Sequence, residues 1–178
     1  GFIEGNEKAI KEVFNQEKVI NRLERDITEY LVELSNAPLT DEQHGLVNTF
    51  FNAINDIERV GDHADNIAEL AQYRIDNNII FTDNALEELQ VMFDKVEKVY
   101  ISSIDSFRDN SIDKAKEVLV LEEEIDEMEK QYRANHIDRL NKLLCQPSSG
   151  VVFLDLISNL ERISDHSSNI ASYTIDRN

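Results

Sequence analysis

Proline and glycine are scarce, with 2 and 5 in a chain of 178 residues, against usual shares of roughly 5 % and 7 %. A β-sandwich or barrel needs turn residues every ~8–12 positions, so all-β architectures are excluded and long helices remain. A single cysteine, Cys145, rules out an internal disulfide and any cysteine-rich zinc site, and it suits a reducing compartment. Positive charge is short as well: 18 Lys+Arg stand against 36 Asp+Glu, a net charge of −18 at pH 7. Such a surface repels phosphate backbones and anionic lipid and attracts cations, so nucleic acid is not an expected partner. No apolar run approaches the ~18–20 residues of a membrane span, and no signal-peptide pattern opens the chain. A P-loop and a nucleophile elbow are missing too, and no enzymatic activity is expected.

What is present is a globular composition, 41 % hydrophobic and 30 % charged, in a chain of about one domain's length. Apolar residues recur at helical spacing from Glu7 to Leu34 (Ile10, Val13, Phe14, Ile20, Leu23, Ile27, Leu31). Pro38 breaks that run, and Thr40 with Gln43 reads as a capping box opening a helix to about Ile75. A third helix carries Leu86, Leu89, Phe93, Val96, Tyr100, Ile104 and Phe107, and stops near Asn110. A fourth runs from Ile112 to Leu144 with Val118, Leu121, Ile125, Met128 and Tyr132 as its seam. Residues 146–150 are expected to close it, and a fifth helix runs from Val151 to the end. The longest would reach ~45 Å at about 1.5 Å per residue. Long helices joined by short loops predict an all-α, antiparallel up-down bundle.

The chain also repeats itself. Residues 55–69 (NDIERVGDHADNIAE) and 158–172 (SNLERISDHSSNIAS) agree at seven of fifteen positions: Glu58/Glu161, Arg59/Arg162, Asp62/Asp165, His63/His166, Asn66/Asn169, Ile67/Ile170 and Ala68/Ala171. Duplicated cores retain apolar pattern and lose polar identity, yet five of these seven identities are polar or charged. Helix propensity explains none of them, because Asp, His and Asn are mediocre helix formers.

Spacing places Glu58, Asp62 and Asn66 on one helix face at i, i+4 and i+8, and Glu161, Asp165 and Asn169 repeat it. Like charges at i, i+4 cost an exposed helix a few tenths of a kcal/mol, and partial burial raises that to several kcal/mol per ion. The preceding helices add acid: Ile10, Glu17, Glu24 and Leu31 are successive heptad positions, and at an offset of 105 Glu17 and Glu24 match Glu122 and Glu129. Bridging cations would relieve the crowding, and oxygen-only donors suit hard ions such as Mg²⁺, Ca²⁺, Mn²⁺ or iron. The metal candidates are therefore Glu58, Asp62, Glu161 and Asp165, with Glu17, Glu24, Glu122, Asp126, Glu129, Asn66 and Asn169 in support. The plainer reading stays open, in which Arg59, Arg162 and other cations form ordinary ion pairs on a solvated face. His63 and His166 lie off the acidic row and read first as packing or capping residues, then as flank ligands; His44 and His136 read as surface residues, and Cys145 as unremarkable.

With these residues in hand the sequence resembles the PhoU family, whose mark is an E-x-x-x-D motif within a longer (D/N)-(I/L)-E-R-(I/V)-x-D-H-x-x-N-I pattern, once in each of two homologous three-helix units. Residues 55–67 and 159–170 carry it. The likeness is greatest to the PhoU-like C-terminal domain of bacterial Na⁺/phosphate cotransporters. The resemblance implies repeat units at residues 1–80 and 81–178, and metal, often iron, zinc or other divalent ions, on Glu58, Asp62, Glu161 and Asp165. It further implies a regulatory role in phosphate uptake and homeostasis beside a transporter membrane domain or a phosphate-signalling partner, in the cytoplasm at the inner face of the plasma membrane. Two departures stand out: five helices where six are expected, which points to an incomplete first unit and a homodimer, and Asn21 where the second half has Asp126, which would make the two sites unequal. Two other readings are carried forward: a metal-free helical scaffold or dimerisation module, and a ferritin-like di-iron carboxylate oxidase. The latter needs Glu-x-x-His on two helices, and here histidine follows glutamate at i+5.

Overall fold

A computed structural model describes residues 2–3 and 5–177. These form five helices: α1 (Glu7–Ser35), α2 (Asp41–Asp76), α3 (Asp83–Asp109), α4 (Ile112–Asn141) and α5 (Pro147–Asp176). The breakers act locally as their chemistry requires. Thr40 Oγ1 accepts from the Gln43 amide (3.3 Å) while Gln43 Oε1 accepts from the Thr40 amide (2.9 Å), so the expected capping box opens α2. Asn110 ends α3 with φ 51°, a left-handed conformation that asparagine tolerates better than most residues.

Two boundaries differ from the sequence reading. Residues 147–150 are the first turn of α5 rather than a loop. Pro147 supplies a pre-set φ and needs no amide partner there, and Ser149 Oγ donates back to the Gln146 carbonyl at 2.7 Å. Helix α4 ends at Asn141, short of Leu144, because Leu143 turns left-handed (φ 57°) and the Leu144 amide folds back onto the Arg139 carbonyl at 2.9 Å.

Among the described residues α5 is the hub, packed against α2, α3 and α4, while α3 also packs on α4 and α1 packs along α2. The core follows that plan: Phe153, Leu156, Ile157 and Leu160 of α5 meet Leu89, Met92 and Val99 of α3 and Val118 and Ile125 of α4, all essentially inaccessible to water. Helix α1 buries only Ile10 and Leu31, the two apolar members of its heptad row. Leu23 and Ile27, expected on the seam, are exposed, as is Tyr30. His136, expected at the surface, is buried: it stacks on Phe153 (ring centroids 4.5 Å apart) and lies 3.3 Å from Arg139, whose guanidinium in turn holds Glu88 with both nitrogens at 2.7 and 3.0 Å. It continues the apolar seam of α4, and a polar residue there is tolerated because the buried ion pair satisfies it. His44 is exposed as expected, and Cys145 is half-buried with Sγ 4.0 Å from His136 Nε2.

Candidate metal centre

The two acidic rows lie on two helix pairs, α1 with α2 and α4 with α5. Gly61, between Glu58 and Asp62, is buried, and a Cβ there would come within 3.2 Å of Ile20 Cδ1. That close approach of α1 to α2 brings Glu17 and Glu24 opposite Glu58. The equivalent Ser164 is likewise inaccessible, and on that side Asp126 and Glu129 of α4 face Glu161, while Glu122 and Asp126 face Asp165. The carboxylates named from sequence thus gather into two groups.

Their environment is half-buried rather than solvated. Side-chain exposure is 24 % for Glu58, 25 % for Glu161 and 30 % for Asp165. Burial, then the Asp62 charge, raises the Glu58 carboxyl above the ordinary range against the pull of Arg59. Burial also leads for Glu122, with Asp126 and Asp165 adding to it, and for Glu161, where Asp165 adds and Arg162 opposes. Asp165 is raised by burial and Asp126, again against Arg162. The arginines do not neutralise these rows. Arg59 stands 3.9 Å from Glu58 and 3.7 Å from Asp62, Arg162 stands 3.7 Å from Glu161 and 3.3 Å from Asp165, and both side chains are 60 % exposed. Such loose exposed pairs contribute little.

The donor set fits a hard cation best in the second half. Carboxylate oxygens of Glu122, Asp126 and Asp165 lie within 4.8 Å of one another, the spacing of ligands around one ion, and they are the one such group among the described residues. Asp126 Oδ1 is buried yet accepts no hydrogen bond, a need that either a proton or a cation would satisfy. Glu129, by contrast, is held by Arg133, which also donates to Ser158 Oγ at 3.0 Å. In the first half Asn21 donates its amide to Glu17 Oε1, and Thr28 donates to Glu24 at 3.1 Å.

The other repeated polar residues have a different task. On α2, Asp56 accepts from three groups of α5: His166 Nδ1 at 2.8 Å, Asn169 Nδ2 at 3.1 Å and the Tyr173 hydroxyl at 2.6 Å. Its counterpart on α5, Asn159, meets His63 Nδ1 at 2.9 Å and accepts from Asn66 Nδ2 at 3.2 Å. His63 and His166 stack between these pairs, with ring centroids 5.7 Å apart. Each copy of the pattern therefore clasps the other, and Asn66 and Asn169 point into this clasp. Asp56 and Asn159 were missed by counting identities, since one is Asp and the other Asn at the same offset; the degenerate first position of the longer pattern was the signal. Asp65, one turn beyond Asp62, was also overlooked as a ligand candidate; burial and the Glu17 charge raise its carboxyl.

Comparison with known proteins bears on the family and the fold. The PhoU domain matches residues 1–71 and 89–174. The chain is 28 % identical over 172 residues to the phosphate-specific transport system accessory protein PhoU homolog 1 of Thermotoga maritima, covering 96 % of this chain and 73 % of that protein. It is 23 % identical over 172 residues to the homologous accessory protein of Clostridium acetobutylicum, with coverage of 96 % and 77 %. In three dimensions it is similar to the crystal structure of PhoU from Pseudomonas aeruginosa, with a TM-score of 0.93 and 22 % identity, covering 99 % of this chain and 84 % of that one. The phosphate transport system regulatory protein PhoU from Streptococcus pneumoniae gives a TM-score of 0.84 at 21 % identity, with coverage of 98 % and 81 %. A bundle built on two reciprocal copies of the E-x-x-x-D pattern, matched along nearly its whole length, belongs to the PhoU family.

Proposed function

We propose that this chain is a regulatory accessory domain of phosphate transport whose acidic rows bind divalent or ferric ions, and that it acts by binding a protein partner rather than by catalysis. The observation that carries the metal reading is the convergence of Glu122, Asp126 and Asp165, together with the buried Asp126 Oδ1 that has no hydrogen-bond partner; Glu161 completes that site, and Glu17, Glu24, Glu58 and Asp62 form its counterpart. The relatives' names supply the role, since both sequence relatives are called accessory proteins of a phosphate-specific transport system. The partner is a phosphate transporter's membrane domain, such as that of a Na⁺/phosphate cotransporter, or a phosphate-signalling protein, which places the chain at the inner face of the plasma membrane. No helix among the described residues is long and apolar enough to cross a membrane itself. The exposed Leu23, Ile27 and Tyr30 of α1 favour a protein–protein contact, with a second copy of this chain as the first candidate.

Elemental analysis of the protein as purified, followed by thermal melts with and without Mn²⁺, tests the reading. A ligand at a hundredfold excess over its Kd adds about 2.7 kcal/mol. The expected result is therefore a melting temperature raised by several degrees, with Glu161→Ala/Asp165→Ala losing most of the increment. Melts that ignore both Mn²⁺ and chelator would favour the metal-free scaffold instead.

A further inference from the structure

The two halves exchange a carboxylate. Helix α4 carries Asp126 where α1 carries Asn21, and α2 carries Asp65 where α5 carries Ser168. The exchange keeps the acid count but not the geometry. In the second half the oxygens of Glu122, Asp126 and Asp165 already lie within 4.8 Å of one another, with Asp126 Oδ1 buried and unbonded. In the first half the residue at that position is a hydrogen-bond donor, and its amide occupies Glu17 Oε1, one of the oxygens a cation would need. Asp65 lies a turn further along α2, and no three carboxylates of that half converge to the same degree among the described residues.

Resting on the metal reading above, we infer that the two sites are unequal: the α4–α5 site loads first and tightly, and the α1–α2 site fills later and weakly. Three terms set the order. A convergent site binds without reorganising its ligands, whereas in the first site the Asn21 amide already engages one oxygen of Glu17 and competes with a cation for it. An aspartate in place of an asparagine adds a full negative charge to the coordination sphere, and ligand charge and site rigidity tune hard-cation affinity over orders of magnitude. Against these, the first half has one fewer acid neutralised locally, since Arg133 holds Glu129 but only Thr28 bonds Glu24. Attraction from a half-exposed acid outside the coordination sphere is screened by solvent, so the convergent oxygens decide.

Titration of the whole chain with Mn²⁺ by calorimetry, cross-checked by the electron paramagnetic resonance of free Mn²⁺, reads the order directly. The wild type should bind in two steps whose Kd values differ by about tenfold or more. Asp126→Asn should remove the tight step and keep the weak one. Asn21→Asp, at a half-buried position of α1 beside Glu17, should leave the tight step unchanged and strengthen the weak one by about tenfold. Two equal steps in the wild type, loss of the weak step in Asp126→Asn, or no response of either step in Asn21→Asp would overturn the inequality while leaving metal binding intact. A wild type that takes up no Mn²⁺ would overturn the metal reading itself. Should Asp126→Asn fail to fold, the Asn21→Asp arm and the wild-type isotherm still decide.

Discussion

The two halves of this bundle began from one pattern and now live under different burial. Helix α5 buries thirteen residues, while its counterpart α2, although longer, buries seven. The difference comes from α3, which packs on α4 and α5 and gives the second half three helices where the first has two among the described residues. Apolar identity relaxed with that burial, so that Leu160, fully buried, answers to the half-buried Ile57. Five polar identities of the repeated pattern did not relax. Glu, Asp, His and Asn recur in both halves regardless of how much core surrounds them, so core packing is not what keeps them in place.

The largest effect should separate the halves by packing. Leu160→Ala removes a side chain enclosed by three helices and is expected to cost about 3–4 kcal/mol, whereas Ile57→Ala, at a site that water already reaches, should cost about 1 kcal/mol. Urea denaturation followed by circular dichroism measures both, and equal costs would show that the first half is covered in solution by something else. Next comes the clasp. Asp56→Ala leaves three donors of α5 without an acceptor and should cost about 2–3 kcal/mol, while Asn159→Ala releases only His63 and Asn66 and should cost about 1 kcal/mol. Equal losses would mean that water replaces Asp56 as readily as it replaces Asn159.

The helices, their order and both acidic rows were legible in the sequence because each is a local, periodic signal. Ile10, Glu17, Glu24 and Leu31 illustrate it well: the two apolar members are the buried residues of α1, and the two acids between them sit half-buried against α2. What sequence could not supply was anything set by a partner helix. His136, expected at the surface, lies on the α4 seam, and Glu88, 48 residues away and bonded to Arg139, makes that position tolerable. The role of His63, His166, Asn66 and Asn169 was illegible for the same reason, since each answers to a residue about a hundred positions away. The convergence at Asp126 likewise depends on a crossing of α4 and α5 that spacing on one helix does not reveal.

The smallest expected effect concerns protons at the acidic rows, and its sign is opposite to that of an ordinary salt-bridged protein. Glu58, Asp65, Glu122, Glu161 and Asp165 all titrate above their unfolded values, so in this interval the folded state holds more protons than the unfolded one. Stability then falls as pH rises through the window between the ordinary carboxylate range and the raised values, and the penalty is fully present at neutral pH. Metal-free protein should therefore melt higher at about pH 5 than at pH 7, by about 1 kcal/mol after allowance for solvent screening. At lower pH the trend turns over, because Asp109 and Glu124 are depressed by their lysine and arginine partners and lose those bonds on protonation. Saturating Mn²⁺ should reverse the slope between pH 5 and 7, since a cation relieves the same repulsion and a proton must displace it. Asp165→Asn should flatten both profiles, whereas Asn21→Asp should steepen both by crowding one more acid into the half that lacks it. Melts across that pH interval, in chelator and in Mn²⁺, then test whether repulsion between carboxylates governs both halves or only the second.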